Sequence, residues 1–182
     1  MNSPSIEPVS VLENPAQGTA LKWYAIYTKS RHEKLVAREF EKKGIEYFLP
    51  LRKIQRQWSD RKKTVEEPLF KGYLFVHIPW GKRVNVLSAV GVVHFVGHQA
   101  DKAVEILEKE LWAVRKFVEE DIPVDPFPYL KTGERVYIRS GPFKGVEGFI
   151  VRKDRHCRLV ISLDQLMQSV SVEVDEASVE PA

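Results

Sequence analysis

A single cysteine, Cys157, stands among 182 residues, so the chain cannot close an internal disulfide and reads as a protein of a reducing cytoplasm. Cys157 itself reads as a small strand or turn residue, not a nucleophile. Apolar runs are only a few residues long, against the roughly 20 that a membrane-spanning helix needs, so no membrane contact is expected. The N-terminus has no basic stretch followed by an apolar core, and no secretory leader is expected. Common catalytic signatures are missing too. No glycine-rich loop ends in Lys-Ser or Lys-Thr to cradle phosphate, and no Gly-x-Ser-x-Gly turn presents a serine. His94 and His98 have the i,i+4 spacing of a metal pair on a helix, but they fall in a strand-and-turn segment without a third ligand. The expectation is a non-enzyme with no cofactor and no metal.

What the chain does have is charge, unevenly placed. At 43% apolar and 29% charged it has the composition of a globular protein with a net charge of +3. Residues 1–20 carry −2, residues 21–118 carry +9, residues 119–130 carry −4, and residues 131–182 balance. An anionic partner is therefore expected for the 21–118 segment alone.

Residues 1–20, with three prolines and no apolar periodicity, read as a disordered tail. Residues 22–28 read as a strand with Trp23, Ala25 and Tyr27 on one face and Tyr24 and Ile26 on the other. Ser30 and Glu33 have capping-box spacing for a helix to about Lys43, with Leu35, Val36 and Phe40 inward and Gly44 ending it. Residues 45–51 read as a second strand. The 68–78 stretch is the pivotal one, because its alternation is apolar on both faces: Leu74, Val76 and Ile78 on one, Tyr73 and Phe75 on the other. One face suits helices; the aromatic face needs another element or a partner. A short helix over 82–90 and a strand over 92–96 follow. Asp101 is placed to cap a longer helix with Val104, Leu107, Leu111, Val114 and Val118 recurring on one stripe.

Residues 52–67 read as a hairpin, its arms at 54–58 and 63–66, bearing Arg52, Lys53, Arg56, Arg61, Lys62, Lys63 and Trp58. Such a feature is either a solvated edge or a nucleic-acid contact, since clustered cations beside an aromatic neutralise phosphate and stack on a base. Residues 119–130, acidic and with three prolines, read as an extended linker between domains. Four short strands, at 135–138, 146–151, 158–161 and 170–174, then suggest a small barrel.

The ordered motifs are Trp23-Tyr24-Ala25-Ile26-Tyr27-Thr28, Phe48-Leu49-Pro50, the run from Pro68 through Gly72-Tyr73-Leu74-Phe75 to Val76, and Val90 to Gly97. In the second half they are Gly133 to Ile138 and Gly141-Pro142-Phe143-Lys144-Gly145-Val146-Glu147-Gly148, which is similar to the KOW motif. Together, over about 21–180, they resemble the NusG family of transcription elongation factors. The resemblance implies an α+β chain: an N-terminal antiparallel sheet flanked by helices (the NGN domain, 21–118), the linker (119–130) and a small all-β, SH3-like KOW barrel (131–182). It implies an RNA polymerase seat at Tyr27, Tyr73, Phe75 and Phe95, although each also reads as plain core. It places a second polymerase contact at Lys82 and Arg83. Non-template DNA would meet Lys29 and Arg31, with Arg56, Trp58, Arg61, Lys62 and Lys63 as the hairpin's nucleic-acid candidates.

In the KOW domain the resemblance implies recruitment of Rho or the ribosomal protein NusE through Leu166, Gln168 and Val170. Phe143 reads as an anchor for the KOW loop or as a contact. The aliphatic Leu166 and the Arg56–Lys63 segment look more like the specialised, RfaH-like branch, which promotes antitermination on long operons, than like the general factor. The expected protein is a cytoplasmic monomer. A basic KOW-bearing ribosomal or RNA-binding protein is the rival, but it would not need the aromatic cluster.

Overall fold

In the computed structural model residues 19–58, 61–99, 102–120, 122–153 and 156–182 are described. Most of the expected tail, the Asp101 cap and the hairpin-tip residues Ser59 and Asp60 lie outside them.

The first sheet is antiparallel and is built around β1 (Leu21–Thr28) and β5 (Tyr73–Pro79), which pair from Leu21↔Pro79 to Tyr27↔Tyr73. Strand β2 (Tyr47–Phe48) flanks β5, β6 (Val92–Phe95) flanks β1, and the short β9 (Glu105–Ile106) also pairs with β1. Helices α1 (Glu33–Lys43) and α2 (Arg83–Leu87) belong to one face of this sheet. There Tyr24, Ile26, Leu74, Val76 and Ile78 pack with Val36, Phe40, Val86 and Ala89. On the other face lies α3 (Glu108–Glu119), where Trp23, Ala25 and Phe75 join Leu69, Phe70, Leu111 and Val114.

Both faces of β5 are thus covered from within the chain. Phe75 is fully buried, edge-on to Phe70 at 6.0 Å and stacked on Phe48 at 6.1 Å. Arg115 of α3 lies 5.2 Å from the Trp23 ring and 5.1 Å from Phe48, so its guanidinium is spread over this aromatic surface.

Several local expectations change in the fold. Helix α1 starts at Glu33 with His32 as N-cap and no side-chain cap. Glu33 Oε1 instead accepts the Gly72 N–H at 2.7 Å in a buried setting, so a long-range bond displaces the capping box. Gly44 ends the helix in the left-handed conformation at φ 61, as its sequence position suggests. Leu35 is exposed, whereas Val36 and Phe40 are buried. The second helix is only five residues, and the third begins at Glu108, with the exposed Leu107 as its N-cap. Residues before it form β7 (Gly97–Gln99), β8 (Lys102–Ala103) and β9, so Val104 is not helical. Phe117, absent from the expected stripe, is fully buried.

The second sheet has the order β10-β14-β13-β12-β11-β15, all antiparallel. Its strands are β10 (Val124–Phe127), β11 (Glu134–Ile138), β12 (Glu147–Lys153), β13 (His156–Leu163), β14 (Gln168–Glu173) and β15 (Val179–Pro181). Strand β10 comes from the stretch read as linker, pairing Val124↔Val172 through Phe127↔Ser169. Gly141 and Gly145 adopt positive φ in the KOW loop; Gly148 does not, and serves by closeness, since a Cβ there would lie 2.6 Å from Val160 O. One apolar cluster runs from Phe75 through Leu111 and Phe117 of α3 to Phe143, Leu163 and Val170 of the second sheet. Phe117 and Phe143 meet edge-on at 5.0 Å.

Candidate functional site

The aromatic surface that the sequence assigns to a partner divides in two. Tyr27, at 37% exposure, has its ring 5.2 Å from Tyr73 and 5.3 Å from His94, stacked on the latter at 25°. These three residues come together because β1 pairs Tyr27 with Tyr73 on one side and His94 on the other. Burial, reinforced by the neighbouring Tyr27, raises the Tyr73 phenol above its ordinary value. The group is fixed from below by the Gly72 peptide. Thr28 N donates to Gly72 O at 2.8 Å, Glu33 accepts from Gly72 N, and Gly72 has φ 83.

Two expected members are elsewhere. Phe75 is core, as described. Phe95 pairs with Ile26 and so faces α1 and α2, where it meets Tyr24 at 6.1 Å and Trp80 at 5.1 Å. His94 takes the position expected for Phe95. A one-residue change of register moves a strand residue to the opposite face, and the β1–β6 register shifts between Tyr27 and Thr28.

Lys82 and Arg83 lie at the start of α2. Arg83 Nη1 donates to Trp80 O at 3.3 Å with its guanidinium 5.3 Å from the Trp80 ring. Lys82 borders a cleft of about 280 Å³ shared with Lys43, Glu46 and His77. Lys29 and Arg31 are exposed on the β1–α1 turn, pinned by Lys29 N–H to Gly91 O at 2.8 Å and His32 N–H to Lys29 O at 3.0 Å. Arg31 takes a left-handed φ of 61.

Arg56, Lys62 and Lys63 belong to a separate two-stranded hairpin, β3 (Leu51–Gln57) and β4 (Lys62–Pro68), longer than the arms expected from sequence, and Trp58 and Arg61 adjoin its strands at the turn. Its base is tied to the body: Leu69 N donates to Pro50 O at 2.9 Å and Lys34 Nζ to Glu66 O at 2.9 Å. Arg52 Nη1 lies 3.4 Å from Asp125 Oδ1 on β10, while Arg158 Nη1 of β13 lies 3.6 Å from Asp125 Oδ2. Farther out, Trp58 is half exposed, with Lys63 Nζ 5.5 Å from its ring centre.

In the second sheet Phe143, Leu166 and Val170 are buried, and Gln168 is half-buried opposite Leu163. What the loop presents instead is Met167, 66% exposed at a left-handed φ of 51, a residue the sequence reading passed over. Between α3 and this sheet, Lys109, Glu110, Trp112 and Ala113 line a cavity of about 160 Å³ with Arg135, Gly145 and Phe149. Burial raises the Glu110 carboxyl above its ordinary value; the Leu107 backbone partly offsets this and the Asp164 carboxylate adds to it.

A helix-flanked antiparallel sheet, with Tyr27 exposed beside the half-buried Tyr73, followed by an all-β module, is the two-part arrangement that the sequence leads one to expect. The family model described as "Transcription termination factor nusG" matches residues 21–115, more than half of the chain, and the chain belongs to the NusG family. It is similar to the transcription termination/antitermination protein NusG of Borreliella burgdorferi, at 25% identity over 87% of this chain and 97% of that protein. It is also similar to the NusG of Staphylococcus aureus, at 29% identity over 88% of this chain and 96% of that one. A solved structure described as "Domain interaction in Thermotoga maritima NusG" shares the fold with a TM-score of 0.54, at 23% identity over 89% of this chain and 97% of that chain. As a NusG-type factor the protein acts in transcription termination and antitermination and is not an enzyme. Among the described residues no helix is long and apolar enough to cross a membrane.

Proposed function

We propose that the protein is a non-catalytic elongation factor that grips RNA polymerase through the Tyr27–Tyr73–His94 surface, suppresses pausing and promotes readthrough. The observation that carries this is the exposed Tyr27 ring, held between Tyr73 and His94 on a rigid sheet. Large aromatics held on a rigid support are common binding anchors, because little rotamer freedom remains to be lost. The clamp helices of the polymerase's largest subunit are the partner. Lys82 and Arg83 supply a second contact to acidic polymerase residues, and Lys29 and Arg31 meet the non-template DNA strand. The factor works in the cytoplasm as a monomer, on specific long operons in the manner of the RfaH-like branch.

Residues 21–118 form the polymerase-binding domain and 131–182 the KOW domain, with β10 joining the latter, so the free tether between them is short. A second reading is the general role, in which the KOW domain couples polymerase to Rho or to the ribosome through NusE. The exposed Met167 beside Leu166 favours a docking loop there. In either role, Leu166 and Val170 would first have to be uncovered, because both are buried here.

The test is co-purification with core polymerase. Tyr27→Ala combined with Tyr73→Ala should abolish it while the circular dichroism spectrum is retained; Phe75→Ala would report folding instead. Transcription over a pause site, with and without Rho, then separates antitermination from termination. Unchanged pause lifetime and readthrough on adding the protein would refute the proposal.

A further inference from the structure

The β3–β4 hairpin sorts its basic residues by face. Arg56 is paired directly with Lys63, and Gln57 with Lys62. One step outward, Trp58 N donates to Arg61 O at 2.8 Å. Successive strand residues alternate sides, so Arg56 and Lys63 share one face and Lys62 lies on the other with Gln57. Trp58 stands with the first pair, since Lys63 Nζ lies 5.5 Å from its ring centre, and Arg61 adjoins Trp58 at the turn.

Two features of that face suit a ligand, although Lys63 Nζ already lies 5.5 Å from the Trp58 ring centre. Like charges directly opposite each other weaken an antiparallel pair, yet Arg56 faces Lys63, with the Glu67 carboxylate answering Arg56. A half-exposed tryptophan also stands at the far end of an arm that belongs to neither apolar core. A ligand with spaced negative charges and flat apolar surfaces answers both. A nucleic-acid duplex displays phosphates but keeps its base faces stacked away from side chains. An acidic protein segment has the charge without the π-surface. An unpaired strand offers both at once.

We propose that this face of the hairpin binds an unpaired nucleic-acid strand, with Trp58 stacking on a base and Arg56, Arg61 and Lys63 contacting phosphates. The chemistry is common to single-stranded DNA and RNA. The site is separate from the tyrosine surface, so Tyr27→Ala with Tyr73→Ala should lose polymerase and keep oligonucleotide binding.

The full chain is titrated against fluorescent oligo-dT, oligo-U and a mixed-sequence duplex, each of about 20 nucleotides, and anisotropy is followed across a range of salt. Single strands should bind about tenfold or more tightly than duplex, and the tighter of the two identifies the natural sugar. Trp58→Ala should weaken single-strand binding about tenfold. Lys63→Gln should reduce the salt slope by about 0.7 and shrink the effect of Trp58→Ala. Lys62→Gln should leave that effect unchanged. All these side chains are exposed, so the variants should keep the wild-type circular dichroism spectrum. Duplex bound as tightly as single strand, full binding by Trp58→Ala, or equal competition by polyglutamate would each overturn the proposal.

Discussion

Gly72 and Tyr27 fit so closely that a Cβ on Gly72 would lie 2.9 Å from Tyr27 Cε2. With φ at 83, Gly72 also has a backbone that other residues adopt at a cost of about 1–2 kcal/mol. Gly72→Ala should therefore destabilise the fold by more than this backbone cost alone, because it also pushes the Tyr27 ring off its seat. In a double-mutant cycle read by urea denaturation, Tyr27→Ala should recover the steric part and leave the backbone part. Full additivity would mean that the two residues are not in register as described.

Glu33 and the Gly72 N–H form the second support of the same seat. Glu33→Ala leaves a buried donor without its acceptor, which costs about 1–3 kcal/mol. Glu33→Gln keeps an acceptor oxygen and should cost clearly less. Equal losses in chemical denaturation would show that charge, not the hydrogen bond, is what matters.

Phe117 joins the two sheets. Phe117→Ala should cost about 3–5 kcal/mol, as truncations of fully buried aromatics do. Its amide-spectrum changes should extend to Phe143 and its loop neighbours, residues remote in sequence. Changes confined to the first sheet would argue against the edge-on contact.

Glu110 gives a pH dependence with a definite sign. Its carboxyl is raised by burial first and by Asp164 in addition, so the folded state holds the proton more tightly than the unfolded one. The stability contributed by this group is fully present below the unfolded pKa and is lost as pH rises through the raised folded value. Glu110→Gln should remove that loss, giving higher melting temperatures near neutral pH and a flatter profile through the weakly acidic range. An unchanged slope between the two proteins would rule out this assignment.

Much of this was legible in the chain. The two-sided alternation of 73–78 and the pattern from Trp23 to Tyr27 mark the paired strands at the centre of the sheet, because strand period is a local property. Gly44 was legible for the same reason. What escaped was decided at long range. Glu33 satisfies a local capping rule on paper, but a buried amide far along the sequence competes for its oxygen. His94 and Phe95 exchange roles on a single step of register. Strand β10 hides in a proline-bearing stretch because it is an edge strand, where Pro126 needs no ladder partner on its open side. Leu166 has an apolar character that reads equally as docking surface or as core, and only packing tells them apart.

Asp125 divides its two oxygens between Arg52 at the root of the hairpin and Arg158 in the second sheet. A carboxylate half open to solvent in such a pair contributes about 1 kcal/mol or less, and salt screens it further. The arm and the second sheet therefore share a catch that thermal motion opens often, and that rising ionic strength loosens before it disturbs either apolar core.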